Sequence, residues 1–147
     1  LWVKGGSVVE RYFGHHAKAT DADGWFDSGD LATIDADGNL SITGRAKDLI
    51  KSGGEWINPA EIEAIVGSLP EVALVAVVAR KHEKWGERPV LIVEPRAGAE
   101  VSDETLLDAL RGRVANWWLP DAIVRRTAMP LALTGKIDKM RLRADHG

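Results

Sequence analysis

The sequence contains no cysteine among its 147 residues. It therefore has no disulfide framework, no thiolate metal ligand and no cysteine nucleophile, and this composition fits a reducing compartment, for which we expect the cytoplasm. No apolar run reaches the roughly 18 residues that a membrane-spanning helix requires, so we expect no membrane span. The four histidines are not spaced like metal ligands, and we expect no metal bound by the residues of this chain.

A strong excess of charge of one sign is also absent. The chain carries 19 basic and 22 acidic residues, for a formal net charge of −3, so we expect no nucleic-acid partner. The length suits one domain, or one small domain with part of another. With 45% hydrophobic and 28% charged residues, the composition is that of an ordinary globular protein.

Two kinds of pattern follow each other along the chain. Residues 1–44 contain short strand and turn signals, including a hairpin over 31–43 whose Asp37-Gly38 pair is expected to supply positive-φ turn residues. Longer apolar segments follow. They predict a hairpin over 48–57, a helix from Asn58 to Pro70, strands at 72–79, 89–94 and 122–125, a helix from Ser102 with Val114 on its apolar face, and a short helix over 138–143.

This order predicts an α+β fold. We expect a small mixed domain over residues 45–147, made of a short hairpin plus a three-stranded sheet with flanking helices. The strands of residues 1–44 are interpreted as the edge of a larger domain that is truncated here. The boundary near Gly44 is the place where we expect a hinge.

Three motifs combine residue types that folding alone does not require together. The first, Phe26–Asp30, ends in Ser-Gly-Asp. The second, Gly44–Ile57, contains a basic pair and a glycine pair. The third, Thr134–Arg143, begins with Thr-Gly-Lys and continues with further basic residues. Each has an ordinary structural interpretation, as a turn, a glycine turn or a solvated basic segment.

In their order and wording, the three motifs resemble those of the adenylate-forming enzymes, the AMP-binding superfamily that includes acyl-CoA synthetases, peptide-synthetase adenylation domains and beetle luciferases. The run Gly-Gly-Glu-Trp-Ile over 53–57 is most similar to the fatty-acyl branch. The resemblance implies ATP, with magnesium bound mainly by a preceding domain, and coenzyme A. It also implies a carboxylic acid substrate, expected to be a fatty acid, and two steps: acyl-adenylate formation followed by thioester formation.

The resemblance also implies site residues. Asp30 and Arg45 match positions that bind the nucleotide, Lys47 matches the hinge, and Lys136 matches the lysine that is catalytic in adenylation. Four further residues are implied to bind coenzyme A: Gly53, Gly54, Trp85 and Trp117. Leu119 and Asp121 depart from the basic residues expected near the coenzyme phosphates. Lys139, Arg141 and Arg143 are interpreted as solvent-facing.

Several alternatives stay open at this stage. The acid could be aromatic or of another class, or the product could be passed to a carrier protein. A free-standing module that binds nucleotide or coenzyme A, or docks to another subunit, is also compatible with the motifs. The phosphate-binding loop and acyl pocket of the resembled family are not in this sequence. We therefore expect the chain to be the C-terminal part of a longer enzyme and to be inactive by itself.

Overall fold

The computed structural model describes all 147 residues and divides into two compact units, Leu1–Lys47 and Asp48–Gly147. The division falls three residues after the boundary predicted from the sequence. That unit 1 belongs to a larger domain, and that unit 2 is a mobile one, remain predictions.

Unit 1 consists of two small antiparallel ladders. The predicted hairpin over 31–43 is confirmed, and the Asp35 carboxylate accepts hydrogen bonds from the backbone N–H groups of Asp37 and Asn39 across its turn. Within this turn φ is positive only at Gly38, at 85°, and not at Asp37 as predicted, because the Asp35 side chain closes the turn. The strands are β1 (Trp2–Val3), β2 (Phe26–Asp27), β3 (Asp30–Ile34) and β4 (Leu40–Arg45).

Unit 2 is the predicted α+β domain, and its elements follow the predicted order. Its strands are β5 (Ile50–Ser52), β6 (Glu55–Ile57), β7 (Val72–His82), β8 (Gly86–Pro95) and β9 (Ala122–Arg125), and its helices are α1 (Pro59–Gly67), α2 (Asp103–Leu110) and α3 (Lys139–His146). A short 3₁₀ turn over Asn116–Trp118 precedes β9.

Strand β8 is the centre of the sheet in unit 2. It pairs antiparallel with β7 along its whole length, and parallel with β9 over Val90–Val93. The β5–β6 hairpin joins β8 through one pair, Ser52 opposite Gly86. This arrangement confirms the predicted hairpin plus three-stranded sheet, and it brings the loops before β8 and β9 close to the glycine turn of the hairpin.

Both faces of the sheet are covered, which explains why β7 and β8 are almost continuously apolar. On one face, helices α1 and α2 pack against alternate strand residues such as Val77 and Leu91. On the other face, Leu142 of α3 packs against the intervening residues, including Val78 and Ile92. All of these side chains are fully buried.

The helix ends follow local sequence signals, with one exception. Asn58 caps α1 through its side-chain oxygen, and Asp138 caps α3 in the same way. The predicted extension of α2 to Val114 is wrong. The helix ends at Leu110 because the chain turns away at Arg111 and Gly112, where φ is 73°.

Candidate functional site

The two predicted nucleotide-binding residues lie opposite each other in unit 1. Asp30 and Arg45 are paired in the β3–β4 register, and the Arg45 guanidinium donates to the Asp30 carboxylate and, at 3.1 Å, to the Ser28 carbonyl. The hydrogen bond from Arg45 lowers the pKa of Asp30, which keeps the carboxylate ionised. An ionised carboxylate is a pure acceptor, as the binding of a vicinal diol requires.

Lys47 is exposed and lies in a single 3₁₀ turn, Ala46–Asp48, immediately before the division between the units. The backbone of this turn is held on the unit 1 side by one hydrogen bond, from the Ala46 N–H to the Gly29 carbonyl at 2.9 Å. A short irregular segment between two compact units is a place where a few dihedral angles can change without disturbing either core.

The glycine pair forms the two-residue turn between β5 and β6. Gly53 and Gly54 have φ values of 60° and 91°, the double positive-φ geometry that a two-residue hairpin loop needs. The Gly53 N–H donates to the carbonyl of Trp85 at 2.8 Å. A Cβ at position 53 would lie 2.9 Å from Cε3 of Trp85, so the indole ring packs directly on this glycine.

A pocket of about 320 Å³ opens beside this turn. It brings together three of the four residues predicted to bind coenzyme A: Gly53, Trp85 and Trp117. Gly54 is adjacent in the turn but does not line it. The complete lining is Ser52, Gly53, Glu55, Trp85, Arg88, Trp117 and Asp121. The two indoles are each a little over 40% exposed, so ring surface is accessible to a ligand.

Sequence reasoning missed Arg88, the basic residue of this pocket. Its guanidinium donates twice to one carboxylate oxygen of Asp121, at 2.7 and 2.9 Å, and the hydrogen bond lowers the pKa of Asp121. The run Trp-Gly-Glu-Arg over 85–88 was the available signal. Its partner lies 33 residues away, however, and only the fold places Asp121 beside it.

The two neighbouring tryptophans have different surroundings. Trp118 is half-buried and packs against the core beneath α1 and α2. Its ring meets that of Trp117 edge to face, with centroids 5.8 Å apart. Trp117 is thereby supported from one side while it lines the pocket on another.

Lys136 lies on a separate, exposed loop of unit 2. The Ala132 N–H donates to the Lys136 carbonyl at 2.8 Å, and Gly135 takes a φ of 78°, which closes a tight turn just before α3. The Lys136 ammonium makes no hydrogen bond or ion pair within the chain, and it is not part of the pocket lined by Trp85 and Trp117. The geometry presents an unpaired cation on a fixed loop.

Two residues expected to face solvent are instead partly buried in ion pairs. The Lys139 Nζ lies 2.7 Å from Oε1 of Glu63 in α1, and the Arg143 Nη2 lies 2.6 Å from Oδ1 of Asp48. Glu63 also accepts from the backbone N–H of Val77 at 2.6 Å, and burial raises the pKa of its carboxyl. The correction follows from the packing of α3 across the sheet, which turns these two side chains inward, while Arg141 is exposed as expected.

No group of three histidine or acidic side chains lies close enough to hold a metal ion. No helix combines the length and apolar character needed to cross a bilayer. The candidate site residues described above are the Asp30–Arg45 pair, the lining of the pocket beside Gly53 and the Lys136 loop.

The sequence matches the family described as the AMP-binding enzyme C-terminal domain over residues 61–136, just over half of the chain. The chain belongs to this family, and its relatives are acid–CoA ligases.

Two relatives illustrate the range. A medium-chain-fatty-acid–CoA ligase from Ectopseudomonas oleovorans is 44% identical over the whole chain, which covers 27% of that protein. A 3-methylmercaptopropionyl-CoA ligase from Ruegeria lacuscaerulensis is 43% identical over 97% of the chain and 26% of its own length. The chain thus spans about a quarter of the curated relatives it matches.

Among solved structures, the chain is similar to the o-succinylbenzoate CoA synthetase of Bacillus subtilis in complex with an acyl-adenylate intermediate. The TM-score is 0.87 at 33% identity, over 97% of this chain and 29% of that one. The similarity confirms the fold class, a small mixed domain of the adenylate-forming enzymes.

Proposed function

We propose that this chain is the C-terminal portion of an ATP-dependent fatty acid–CoA ligase. In the complete enzyme a carboxylate attacks the α-phosphate of ATP to give an acyl-adenylate and pyrophosphate. The thiol of coenzyme A then attacks the adenylate carbonyl, and AMP leaves as acyl-CoA forms. The first step replaces a poor leaving group with a good one, which makes the second step possible.

The observation that carries the proposal is the separation of two kinds of site within unit 2. Lys136 presents a free ammonium on its own loop, and the pocket beside Gly53 offers aromatic surface and a glycine backbone. A mobile cation suits the charge that develops on the phosphate during adenylation. A pocket lined by aromatic rings and a glycine backbone suits the arm and ring of a coenzyme.

We assign the remaining roles as follows. The Asp30 carboxylate accepts from the ribose hydroxyls, while Arg45 holds it ionised and lies beside the nucleotide. Lys47 serves as the pivot about which unit 2 presents first Lys136 and then the Gly53 pocket. Magnesium would accompany ATP, and no residue of this chain is assigned to it.

Support for a fatty acid comes from the run Gly-Gly-Glu-Trp-Ile and from the 44% identity to a medium-chain-fatty-acid–CoA ligase. The similarly high identity to a 3-methylmercaptopropionyl-CoA ligase supports the acid–CoA ligase class in general. The residues of this chain bind the common parts of the substrates, nucleotide and coenzyme, so acyl selectivity is expected to depend on the rest of the enzyme.

The test uses the complete natural protein that contains this chain. AMP and acyl-CoA are measured with ATP, coenzyme A and a panel of short, medium-chain, long-chain, sulfur-containing and aromatic acids. We expect the highest kcat/KM with a fatty acid. Preference for an aryl acid would refute the substrate class. Adenylation with no thioester to coenzyme A would instead identify a domain that loads a carrier protein.

A further inference from the structure

Arg88 is the most completely bonded side chain of unit 2. It is the third residue of β8, its side chain is 11% exposed, and it lies at the wall of the Gly53 pocket. Besides its two hydrogen bonds to Asp121, it donates to the Ser52 hydroxyl at 3.1 Å, to the Trp117 carbonyl at 2.6 Å and to the Leu119 carbonyl at 2.9 Å.

These five hydrogen bonds use all five N–H groups of the guanidinium. A sixth acceptor, such as a phosphate oxygen of a ligand, would have to displace one of them. Displacing Asp121 would separate a charge pair whose arginine is almost buried, which is strongly unfavourable. Arg88 is therefore unsuited to bind a phosphate, although it is the only cation that lines the pocket.

The partners of Arg88 belong to two segments that both contribute residues to the lining of the pocket. Ser52 immediately precedes Gly53, and the carbonyls of Trp117 and Leu119 lie on the irregular segment before β9. The 3₁₀ turn of that segment has no side-chain cap. Arg88 thus supplies polar partners for backbone groups that regular secondary structure leaves unpaired, and it fixes where Trp117 stands relative to Gly53.

The same pairing sets the electrostatics of the pocket. The Arg88 and Asp121 charges cancel, and Glu55 is the remaining charged residue of the lining. Such a pocket suits an uncharged or planar part of a ligand and not its phosphates. This accounts for the departure from a basic residue at Asp121, whose carboxylate accepts from Arg88. Leu119 contributes only its backbone carbonyl, so the bond does not explain the side chain at that position.

We propose that Arg88 is a positioning residue for coenzyme A, which holds Trp117 and the Gly53 turn around an uncharged part of the coenzyme and does not bind its phosphates. This inference rests on the proposed ligase function. Arg88 acts through its hydrogen bonds to Trp117 and Asp121, and the coenzyme phosphates are recognised outside this pocket.

The experiment measures both half-reactions of the complete protein for Arg88→Lys and Asp121→Asn. Lysine keeps the charge but lacks the planar fork. We expect Arg88→Lys to raise the KM for coenzyme A about tenfold, and to raise that for dephospho-coenzyme A by the same factor. Exchange of pyrophosphate into ATP, which reports adenylation, should change by less than about twofold.

Asp121→Asn provides a second test, in which the direction of the change in KM for coenzyme A decides between two roles. This substitution also perturbs the fold less than a change at Arg88. Removing a negative charge beside an anionic ligand would by itself tighten binding, whereas loss of positioning weakens it. We therefore expect the KM for both coenzymes to rise. Arg125→Lys is the matched control, because Arg125 also pairs with an aspartate, Asp103, and donates to a backbone carbonyl, but lies away from the pocket. It should leave both half-reactions unchanged.

Three results would overturn the assignment. A lower KM for coenzyme A in Asp121→Asn would indicate a purely electrostatic role. A loss in Arg88→Lys confined to coenzyme A that carries the 3′-phosphate would indicate direct phosphate binding. Equal losses in both half-reactions would indicate a role in stability only. If the wild-type protein makes no acyl-CoA from any acid, the proposed function itself is wrong, and the assignment of Arg88 is wrong with it.

Discussion

The indole ring of Trp85 occupies the space where any residue other than glycine at position 53 would place its Cβ, 2.9 Å from the ring carbon Cε3. The backbone of Gly53 also takes a φ of 60° and donates to the Trp85 carbonyl. Position 53 therefore requires glycine for two independent reasons, steric contact and backbone conformation. The glycine turn and the Trp85 ring are therefore packed against each other at the pocket.

Gly53→Ala should disturb the packing of the glycine turn against Trp85 more than the strained backbone conformation alone would. A non-glycine residue at positive φ costs roughly 1–2 kcal/mol, and the contact with Trp85 adds to this by displacing the ring. We expect a raised KM for coenzyme A with near-normal adenylation. Gly98→Ala is the control, since Gly98 has a φ of 75° and no atom near its Cβ position. Similar kinetics in the two variants would contradict the steric role.

Lys136→Ala in the complete enzyme should abolish adenylation. The Lys136 ammonium has no partner within the chain, so its removal disturbs no internal contact. Thioester formation from supplied acyl-adenylate should remain largely intact, because the lysine is assigned to the first step only. Rapid-quench assays of each half-reaction measure both effects. Lys81→Ala, at another exposed lysine, serves as the control, and equal loss of both steps would refute the role of Lys136.

Lys47→Pro should impair one half-reaction far more than the other. Proline fixes φ near −65° and removes the backbone donor, so it restricts the segment between the two units. Lys47→Ala changes the side chain and leaves the backbone free, and we expect it to be near normal in both steps. Normal rates of both steps in the proline variant would remove the hinge assignment.

Lys139→Met should destabilise unit 2 by about 1–3 kcal/mol, because it leaves the Glu63 carboxylate, whose side chain is 18% exposed, without its cation. The double variant with Glu63→Gln should recover part of this loss, since the uncompensated charge is then gone. Urea unfolding of the 147-residue chain measures the free energies. Lys81→Met, on the exposed surface, is the control, and an equal effect there would contradict the ion-pair explanation.

Asp121→Asn should change the dependence of stability on pH. Arg88 lowers the pKa of Asp121 below its ordinary value of 3.8 in the folded chain. The ion pair therefore stabilises the fold above that value and is lost as the pH falls through the lowered pKa. We expect the difference in free energy of unfolding between wild type and Asp121→Asn to be largest above pH 3.8 and to close in stronger acid. If the difference in free energy of unfolding is the same above and below pH 3.8, the ion pair between Arg88 and Asp121 does not cause the pH dependence.

Much of the fold could be predicted because its signals are local. Asn58 and Asp138 cap helices with their own side chains, and Gly53-Gly54 dictates a tight turn. The end of α2 was predicted wrongly, because the apolar spacing of Val114 continues the helical period while the backbone does not. Periodicity reports which residues are buried, and a turn can bury the same residue.

The sequence by itself determined the order of the elements, the family and the residues carried by the motifs, because each of these depends on residues close together in the chain. Only the tertiary structure decided which side chains meet. It paired Arg88 with Asp121 and turned Lys139 and Arg143 inward, and both results depend on contacts across the sheet or between helices. Hydrogen-bond partners 33 or 95 residues apart are chosen by packing, which no local pattern encodes.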